Sequence, residues 1–397
     1  MKIAIVSFTE QGADLSRQMR EVLSEYQVIL YTGRARPAAD REGRAYPVPE
    51  GEEEAPLLYV GSSLKAWCGQ QFGSVDALIF IGAVGIAVRT IAPFLGSKTT
   101  DPAVLAADEK GHHLISLLSG HLGGGNALTR LLAEGIGADP VITTASDVNG
   151  KLAIDVWAQK NRLQISDMKL ARRAAADIVA GRSLPFFCQE NVCGVVPEEC
   201  EIYIPESRTA LPAGDPTGET SVYWRDTKTG DIADARAVLS APGTAVWIGP
   251  CCPPLPALHL IPRCISLGIG CRKGKTAEEI LAQVQKVCRA LAVAPESIEK
   301  ICSVDLKAGE KGLQQAAAVL QVPFETYPAE ALAALPGTFT ASPFVSQVVG
   351  TDNVCERSAV MGLPAAERQA PVFLCRKQAE NGITVAMTMR KWEVSFE

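Results

Sequence analysis

His121 lies in a glycine-rich segment that runs from Ser119 to Asn126. Four of the six residues from Gly120 to Gly125 are glycines, which lose much conformational entropy on folding and favour close approach to the main chain. An imidazole beside backbone N–H groups can move a proton while those groups stabilise an oxyanion. A structural histidine in a tight turn is the alternative. The acid–base and substrate-binding residues that we expect here are Ser119, Gly120, His121, Gly123, Gly124, Gly125 and Asn126.

A second pair of glycines, Gly82 and Gly85, follows a run of apolar residues and leads into a predicted helix that carries Arg89. Glycine lets the backbone approach a ligand, and the N-terminus of a helix attracts an anion. Arg89 could add a bidentate contact to a carboxylate or a phosphate. The spacing lacks the three glycines and the downstream acid of a dinucleotide-binding site. A tight turn with a surface arginine is the alternative.

Two further stretches place carboxylates near predicted strand ends. Asp108 precedes a pair of adjacent histidines, while Thr144 and Asp147 follow the predicted strand 141–144. Hydroxyl and carboxylate groups at such positions can orient a polar substrate or a catalytic imidazole. For the second stretch, capping of a helix by Ser146 or Asp147 is the alternative.

The C-terminal part places polar residues after successive predicted strands. The carboxyl ends of parallel strands meet at one end of a sheet, so these residues are expected to converge on an anion or substrate. Solvated surface loops are the alternative. Neighbouring cations could lower the pKa of Cys271, but no histidine lies nearby in the sequence, so we expect no thiol nucleophile. The expected binding residues of this part are Gly270, Arg272, Asp305, Lys307, Ser346 and Glu356.

The elements that position these residues predict the α/β class. Over residues 1–150, strand-like apolar runs alternate with helical patterns, which is typical of a parallel α/β sheet. Residues 151–255 form a mixed α+β middle region of helical patterns followed by short strands. Residues 262–397 form a separate small α/β domain, with a helix start at Thr276 and a hairpin turn at Asn381-Gly382.

The composition of the 397 residues excludes several classes of protein. The chain has 38 Lys and Arg against 44 Asp and Glu, a net charge of −6, whereas a nucleic-acid-binding protein normally has a basic face. No apolar run approaches the roughly 20 residues of a membrane span. Residues 1–6 read as a strand and lack the pattern of a signal peptide. We therefore expect a cytoplasmic protein without nucleic-acid or membrane partners.

Twelve cysteines and four histidines raise the question of a metal site. The cysteines are irregularly spaced and form no C-x-x-C pair, which favours reduced and mostly buried thiols. A metal-binding cluster among the cysteines of residues 188–271 is the alternative. We expect no metal ligands on the protein.

The segments together resemble the cobalt-precorrin-5A hydrolase family of anaerobic cobalamin biosynthesis. Both ends of the chain match in the family's order, the middle region fits by position and length, and Gly125 stands where relatives often have alanine. The likeness rests on Gly82-Ala83-Val84-Gly85-Ile86, Leu117-Leu118-Ser119-Gly120-His121, Gly268-Ile269-Gly270-Cys271-Arg272 and Val354-Cys355-Glu356.

The resemblance implies a cobalt-bearing tetrapyrrole with many carboxylate arms as the substrate. Cobalt would arrive inside that substrate, and the protein would need no cofactor. It also implies the reaction: a δ-lactone is hydrolysed, and the carbon between rings A and D leaves with its methyl group as acetaldehyde, which gives cobalt-precorrin-5B.

Within this reaction we expect His121 to act as the general base or acid, with Asp108 orienting it or activating water. The N–H groups of Gly123 to Asn126 would hold the oxyanion. Arg89 and Arg272 would hold carboxylate arms of the substrate.

Two other functions stay open from the sequence. One is a non-catalytic carrier or chaperone of a cobalt corrinoid intermediate, which would bind the tetrapyrrole and release no two-carbon product. The other is an unrelated α/β enzyme that acts on a phosphorylated metabolite. Transient contact with neighbouring pathway methyltransferases and a homodimer are compatible with the sequence.

Overall fold

The computed structural model describes residues 1–33, 57–61, 63–97, 100–205, 223–241, 243–341 and 353–397. These residues form two compact units, Met1–Val156 and Trp157–Glu397. The predicted α/β class is confirmed, since three mixed or parallel-rich sheets are accompanied by helices. In the described part of the chain, no helix has the length and apolar character needed to cross a bilayer.

The first unit is built on a seven-stranded sheet in the spatial order β3-β2-β1-β4-β5-β6-β7. Its strands are β1 (Lys2–Ser7), β2 (Gln27–Thr32), β3 (Leu58–Tyr59), β4 (Ala77–Ile81), β5 (Ala103–Ala107), β6 (His113–Leu118) and β7 (Asp139–Val141). Its helices are α1 (Glu10–Val22), α2 (Leu64–Phe72), α3 (Val84–Ile91), α4 (Gly125–Ile136) and α5 (Ala145–Val148), and α6 (Ile154–Lys160) begins in this unit.

Apolar side chains on both faces of the sheet hold the helices in place. Along β1, Ile3 and Ile5 pack in one cluster, whereas Ala4 and Val6 pack in another on the opposite face. This continuous burial is typical of parallel strands that are covered by helices on both sides.

The first sheet is not parallel throughout. Strands β1 to β5 run in parallel, β6 runs antiparallel to β5, and β7 runs parallel to β6. The strands therefore finish at two opposite ends of the sheet. We call these the β4 end, where β4 and β5 finish, and the β6 end, where β6 and β7 finish.

The second unit contains two larger sheets. The first has the order β13-β12-β11-β9-β14-β15-β8, and β10 pairs separately with β21. Its strands are β8 (Leu163–Ile165), β9 (Leu184–Cys188), β10 (Asn191–Cys193), β11 (Cys200–Pro205), β12 (Tyr223–Asp226), β13 (Ile232–Asp234), β14 (Val246–Ile248) and β15 (Leu258–Pro262), and its helices are α7 (Met168–Val179) and α8 (Ala235–Leu239).

The C-terminal sheet has the order β18-β17-β16-β20-β19, with β16 to β18 parallel. The β19–β20 hairpin closes at Asn381 and Gly382, both with positive φ, as the sequence predicts. Its strands are β16 (Ile265–Cys271), β17 (Ile298–Val304), β18 (Phe324–Tyr327), β19 (Val372–Glu380) and β20 (Ile383–Met389), followed by β21 (Glu393–Ser395), and its helices are α9 (Ala277–Ala290), α10 (Lys311–Leu320), α11 (Ala329–Ala333) and α12 (Cys355–Met361).

Candidate active site

The β6 end gathers the glycine-rich segment and the segment after β7. Because β6 and β7 are parallel, with His113 paired to Asp139, the chain leaves both strands at the same end. The glycine-rich segment enters α4 at Gly125, and the second segment enters α5 at Ala145. The predicted residues brought together here are Ser119, Gly120, His121, Gly123, Gly124, Gly125, Asn126, Thr144 and Asp147.

The imidazole of His121 is held between two carboxylates. His121 Nδ1 lies 3.3 Å from Asp155 Oδ1, and His121 Nε2 lies 3.2 Å from Asp147 Oδ2. The hydroxyl Oγ of Ser146 lies 3.0 Å from the same Nε2. The side chain of His121 is 23% exposed and each aspartate side chain 17%, so the group is sheltered yet open to a ligand.

Asn126 and Arg130 fix the position of Asp147. Asn126 Nδ2 donates to Asp147 Oδ2 and to Thr144 Oγ1, both at 2.9 Å, and its Oδ1 accepts from Ser116 Oγ at 2.8 Å. Arg130 Nη2 donates to the other oxygen of Asp147 at 2.5 Å. Asp147 and Thr144, predicted to bind substrate, are thus engaged within the site.

The two carboxylates change the proton affinity of the imidazole. The hydrogen bond to Asp155 raises the pKa of His121 above its ordinary value, against burial, which lowers it, and Asp147 adds to the increase. Burial would raise the pKa of Asp147 and of Asp155, but the hydrogen bonds that each accepts outweigh burial and lower both pKa values. Both carboxylates are therefore ionised over the pH range in which His121 gains or loses its proton.

The glycine-rich segment is tightly folded on itself. A Cβ at Gly120 would lie 2.4 Å from Asn126 Oδ1, and one at Gly123 would lie 2.5 Å from Ser119 Cβ. Gly124 has a φ of +77°, the left-handed region that glycine adopts most readily. The side chain of Ser119 donates to Asp101 O at 2.9 Å. These glycines make room for neighbouring atoms of the segment itself.

The expected oxyanion role of this backbone is largely wrong. The N–H groups of Gly124, Gly125 and Asn126 donate to carbonyls of the same segment, at 2.8, 3.1 and 2.8 Å. An N–H that is already bonded cannot also stabilise an oxyanion. In the described part of the chain, the N–H of Gly123 has no such partner and stays available.

Asp108 does not orient His121, contrary to expectation. It follows β5, and because β6 reverses direction, Ala107 pairs with Leu114 while Val104 pairs with Leu118. Asp108 therefore lies at the β4 end, where its carboxylate accepts from the N–H of Lys110 at 3.0 Å and of His113 at 2.7 Å. It stabilises the β5–β6 turn.

Gly82, Gly85 and Arg89 also lie at the β4 end. Gly82 N–H donates to Ala107 O at 2.8 Å, which places it beside Asp108 and away from His121. Arg89 is exposed, and its Nη1 lies 3.5 Å from Gly85 O. Binding of a carboxylate arm by Arg89 stays a prediction, at the opposite end of the sheet from the imidazole.

In the C-terminal sheet, β16 and β17 are parallel, and the chain leaves both at one end, as predicted. Gly270 is the penultimate residue of β16, the exposed Arg272 follows the strand, and Asp305 and Lys307 belong to a turn after β17. Lys307 Nζ lies 3.2 Å from Glu310 Oε2. Substrate binding by these residues stays a prediction.

Glu356 and Ser346 stand apart from that group. Glu356 is fully buried and accepts from the N–H of Thr340 at 3.0 Å and of Lys377 at 2.9 Å. A carboxylate so enclosed cannot contact a substrate, so its expected binding role is wrong. Ser346 lies outside the described residues.

The cysteines carry no chemistry that the structure reveals. All twelve are free, most are buried, and burial raises rather than lowers the pKa of Cys271. Among the described residues, no group of three or more His, Cys, Asp or Glu side chains has the geometry of a metal site.

Sequence reasoning missed three residues of the site. Asp155 lies 34 positions after His121 at the start of α6, and no local pattern links the two. The sequence around Ser146 indicates only a helix cap, although its hydroxyl contacts His121. Arg130, on α4, reaches Asp147 across 17 positions.

Comparison with known proteins extends these observations. Residues 66–147 match the family model described as Cobalamin synthesis G N-terminal, and residues 265–388 match Cobalamin synthesis G C-terminus. A curated cobalt-precorrin-5A hydrolase of Salmonella typhimurium (strain LT2) is 37% identical over 285 residues, 72% of this chain and 75% of that protein. The chain belongs to the cobalt-precorrin-5A hydrolase family.

A second curated family member, the cobalt-precorrin-5A hydrolase of Priestia megaterium, is 28% identical over 324 residues, 79% of this chain and 76% of that protein. The stretch that matches the N-terminal model includes His121, Ser146 and Asp147, while Asp155 lies eight residues beyond it. Membership of this family gives the chain a role in cobalamin biosynthesis.

Proposed function

We propose that this protein hydrolyses cobalt-precorrin-5A, opening its δ-lactone and releasing acetaldehyde to give cobalt-precorrin-5B. Two curated relatives that are named cobalt-precorrin-5A hydrolase support this activity. The structural observation that carries it is the imidazole of His121, held between Asp147 and Asp155 and sheltered from solvent. Cobalt enters as part of the substrate.

Lactone opening needs proton transfer in both directions. The attacking oxygen must lose a proton, and the departing ring oxygen must gain one, so a single imidazole can serve as base and then as acid. Asp155 Oδ1 lies 3.3 Å from Nδ1 and favours the tautomer that carries its proton there, which leaves Nε2 to exchange the proton. The geometry at His121 therefore suits ester chemistry.

Acetaldehyde release follows from the opened lactone. Hydrolysis leaves a carboxylate on the ring A acetate arm and a hydroxyl on the carbon that carries the methyl group. Loss of the hydroxyl proton lets the bond between that carbon and the macrocycle break, and the electron pair passes to the macrocycle. The same imidazole, neutral again after the first step, can accept this proton.

The test is release of a two-carbon product. Purified protein is mixed with cobalt-precorrin-5A, and acetaldehyde is followed by NADH oxidation through a coupled alcohol dehydrogenase. We expect one acetaldehyde per tetrapyrrole. Tetrapyrrole bound tightly without acetaldehyde would contradict the proposal and favour the carrier function instead.

Metal removal provides a second readout. Because cobalt is held by the macrocycle, preincubation of the protein with EDTA, followed by its removal, should leave the rate of acetaldehyde release unchanged. A loss of activity that added Zn²⁺ or Co²⁺ restores would show that the protein has a metal cofactor of its own. The measurement is the same coupled assay before and after chelation.

A further inference from the structure

A hydroxyl and a carboxylate contact opposite nitrogens of one imidazole at the β6 end, and Asp147 Oδ2 shares the nitrogen that faces the hydroxyl. Ser146 Oγ is 3.0 Å from His121 Nε2, and His121 Nδ1 is 3.3 Å from Asp155 Oδ1. This order of groups activates a serine hydroxyl in many unrelated hydrolases, because the imidazole takes the hydroxyl proton while the carboxylate steadies the imidazolium. The three residues come from α5, the glycine-rich segment and α6.

Ser146 is better placed to attack than its neighbour Asp147. Both oxygens of Asp147 already accept hydrogen bonds, from Arg130 on one and from Asn126 on the other. The only hydrogen-bond partner of Ser146 Oγ among the described residues is His121 Nε2. Ser146 is 7% exposed, so little water competes for its hydroxyl.

We propose that Ser146 is the nucleophile that opens the lactone and carries the acyl group as a covalent ester. This inference rests on the proposed function. Ser146 Oγ forms a bond to the lactone carbonyl carbon, and His121 Nε2 takes the hydroxyl proton. The bond from that carbon to the ring oxygen then breaks, and the departing oxygen receives the proton from His121.

Water completes the reaction without a further reagent. His121 takes a proton from water, the resulting hydroxide attacks the serine ester, and Ser146 regains its proton as the free carboxylic acid departs. The net change is addition of one water to the lactone. Nothing is oxidised or reduced in these two steps.

The charges that face His121 decide which form of the imidazole is present. Asp147 on α5 and Asp155 on α6 favour the imidazolium, while Arg130 on α4 neutralises part of this effect through Asp147. Ser146 can pass its proton only to neutral His121. The covalent step should therefore slow as acid protonates the imidazole.

A fluorophosphonate probe tests the nucleophile without the tetrapyrrole. The intact protein is incubated with the probe, and labelled peptides are located by mass spectrometry. We expect labelling at Ser146 that is abolished in Ser146→Ala and slowed at least 100-fold in His121→Ala. The control Ser74→Ala, which removes an exposed serine beyond α2, should label like the wild type.

Turnover distinguishes failure of this inference from failure of the proposed function. Ser146→Ala should release acetaldehyde about 10³-fold more slowly than the wild type, with an unchanged circular dichroism spectrum. Release of acetaldehyde by Ser146→Ala at the wild-type rate would contradict the role of Ser146 as nucleophile but not the hydrolase activity. Labelling of Ser146 in a protein that never releases acetaldehyde would contradict the hydrolase activity and support the reactivity of Ser146.

Discussion

At the scale of single residues, we expect the proposed proton transfer by His121 to depend most on Asp155. Nε2 of the ring faces both Asp147 and Ser146, whereas Nδ1 contacts Asp155 alone among the residues that the structure describes. This carboxylate both selects the tautomer and supplies the largest cause of the raised pKa of His121. Loss of this carboxylate should lower both the catalytic rate and the pKa of His121.

Asp155→Asn should lower the rate of acetaldehyde release by about 10²–10⁴-fold, since an amide no longer stabilises the imidazolium and can hold the wrong tautomer. The pKa of His121, followed by NMR, should fall in the same variant. Asp14→Asn, in which an exposed carboxylate of α1 is replaced, serves as the control. An unchanged pKa in Asp155→Asn would show that the contact does not exist in solution.

The pH dependence follows from the raised pKa of His121. A base must be unprotonated, so the rate should increase as pH rises through a pKa above the ordinary histidine value of about 6.5. Asp147 and Asp155, whose pKa values are lowered, stay ionised over that range. The measurement is the rate of acetaldehyde release between pH 5 and 9. A rate that falls with increasing pH would mean that the imidazolium is the required form.

Glu356 should matter for stability rather than for catalysis. Replacement by Gln turns an N–H₂ group toward buried N–H donors, and leaving such a donor unpaired costs about 1–3 kcal/mol. Hydrogen bonds lower the pKa of Glu356 against the effect of burial, so its stabilisation is present above the ordinary glutamate pKa and is lost as pH falls through the lowered one.

Urea unfolding of Glu356→Gln at pH 7 tests this expectation, with Glu330→Gln, at an exposed position on α11, as the control. The free energy of unfolding should be reduced only in Glu356→Gln, and the difference from the wild type should shrink toward pH 3. Loss of acetaldehyde release from a folded Glu356→Gln protein would restore the binding role expected from the sequence.

At the scale of elements, the reversal of β6 decides which residues can meet. The sequence predicts each strand and the turns around them, but an apolar strand carries no local mark of its direction. Five residues link β5 to β6, and such a short connection favours an antiparallel pair. The alternation of strands and helices led to the expectation of a parallel sheet instead. The expected contact between Asp108 and His121 requires both residues to lie at one end of the sheet, and the reversal of β6 separates them.

Gly120 links the backbone of the glycine-rich segment to the side chains of the site. In Gly120→Ala the new Cβ would displace Asn126, which holds both Thr144 and Asp147. We expect at least a tenfold loss of acetaldehyde release and a destabilisation of about 1–3 kcal/mol. Gly73→Ala, where a Cβ has open space and φ is −98°, should resemble the wild type in both. Equal activity of the two variants would contradict this account of the segment.

At the scale of the whole molecule, the sequence anticipated the α/β class and several local features. Strong local chemistry explains those successes: Thr276 and Glu279 form a capping box at the start of α9, and Asn381-Gly382 closes the final hairpin. The predicted boundaries of 1–150, 151–255 and 262–397 stay predictions. The sheet formed by β8, β9 and β11 to β15 extends to Pro262, beyond the predicted boundary at residue 255. The prolines of residues 250–256 have the composition of a linker, which explains why the sequence predicted a boundary there.

The cysteines predict a simple pattern of thiol reactivity for the folded chain. Cys252 is exposed, Cys193 and Cys271 are half-buried, and the others are buried. Ellman's reagent should modify Cys252 first in native protein, and all twelve thiols after unfolding in guanidinium chloride. Cys252→Ser should remove the fast phase. Fewer than twelve thiols in freshly unfolded, unreduced protein would indicate disulfides.

We infer that the imidazole of His121 performs the chemistry. The most direct measurement is single-turnover release of acetaldehyde from cobalt-precorrin-5A by the wild type, by His121→Ala and by His112→Ala, in which an exposed histidine at the β4 end is removed. We predict stoichiometric release by the wild type and by His112→Ala, with His121→Ala at least 10³-fold slower. Release by His121→Ala at the wild-type rate would contradict the assignment of the active site to the β6 end.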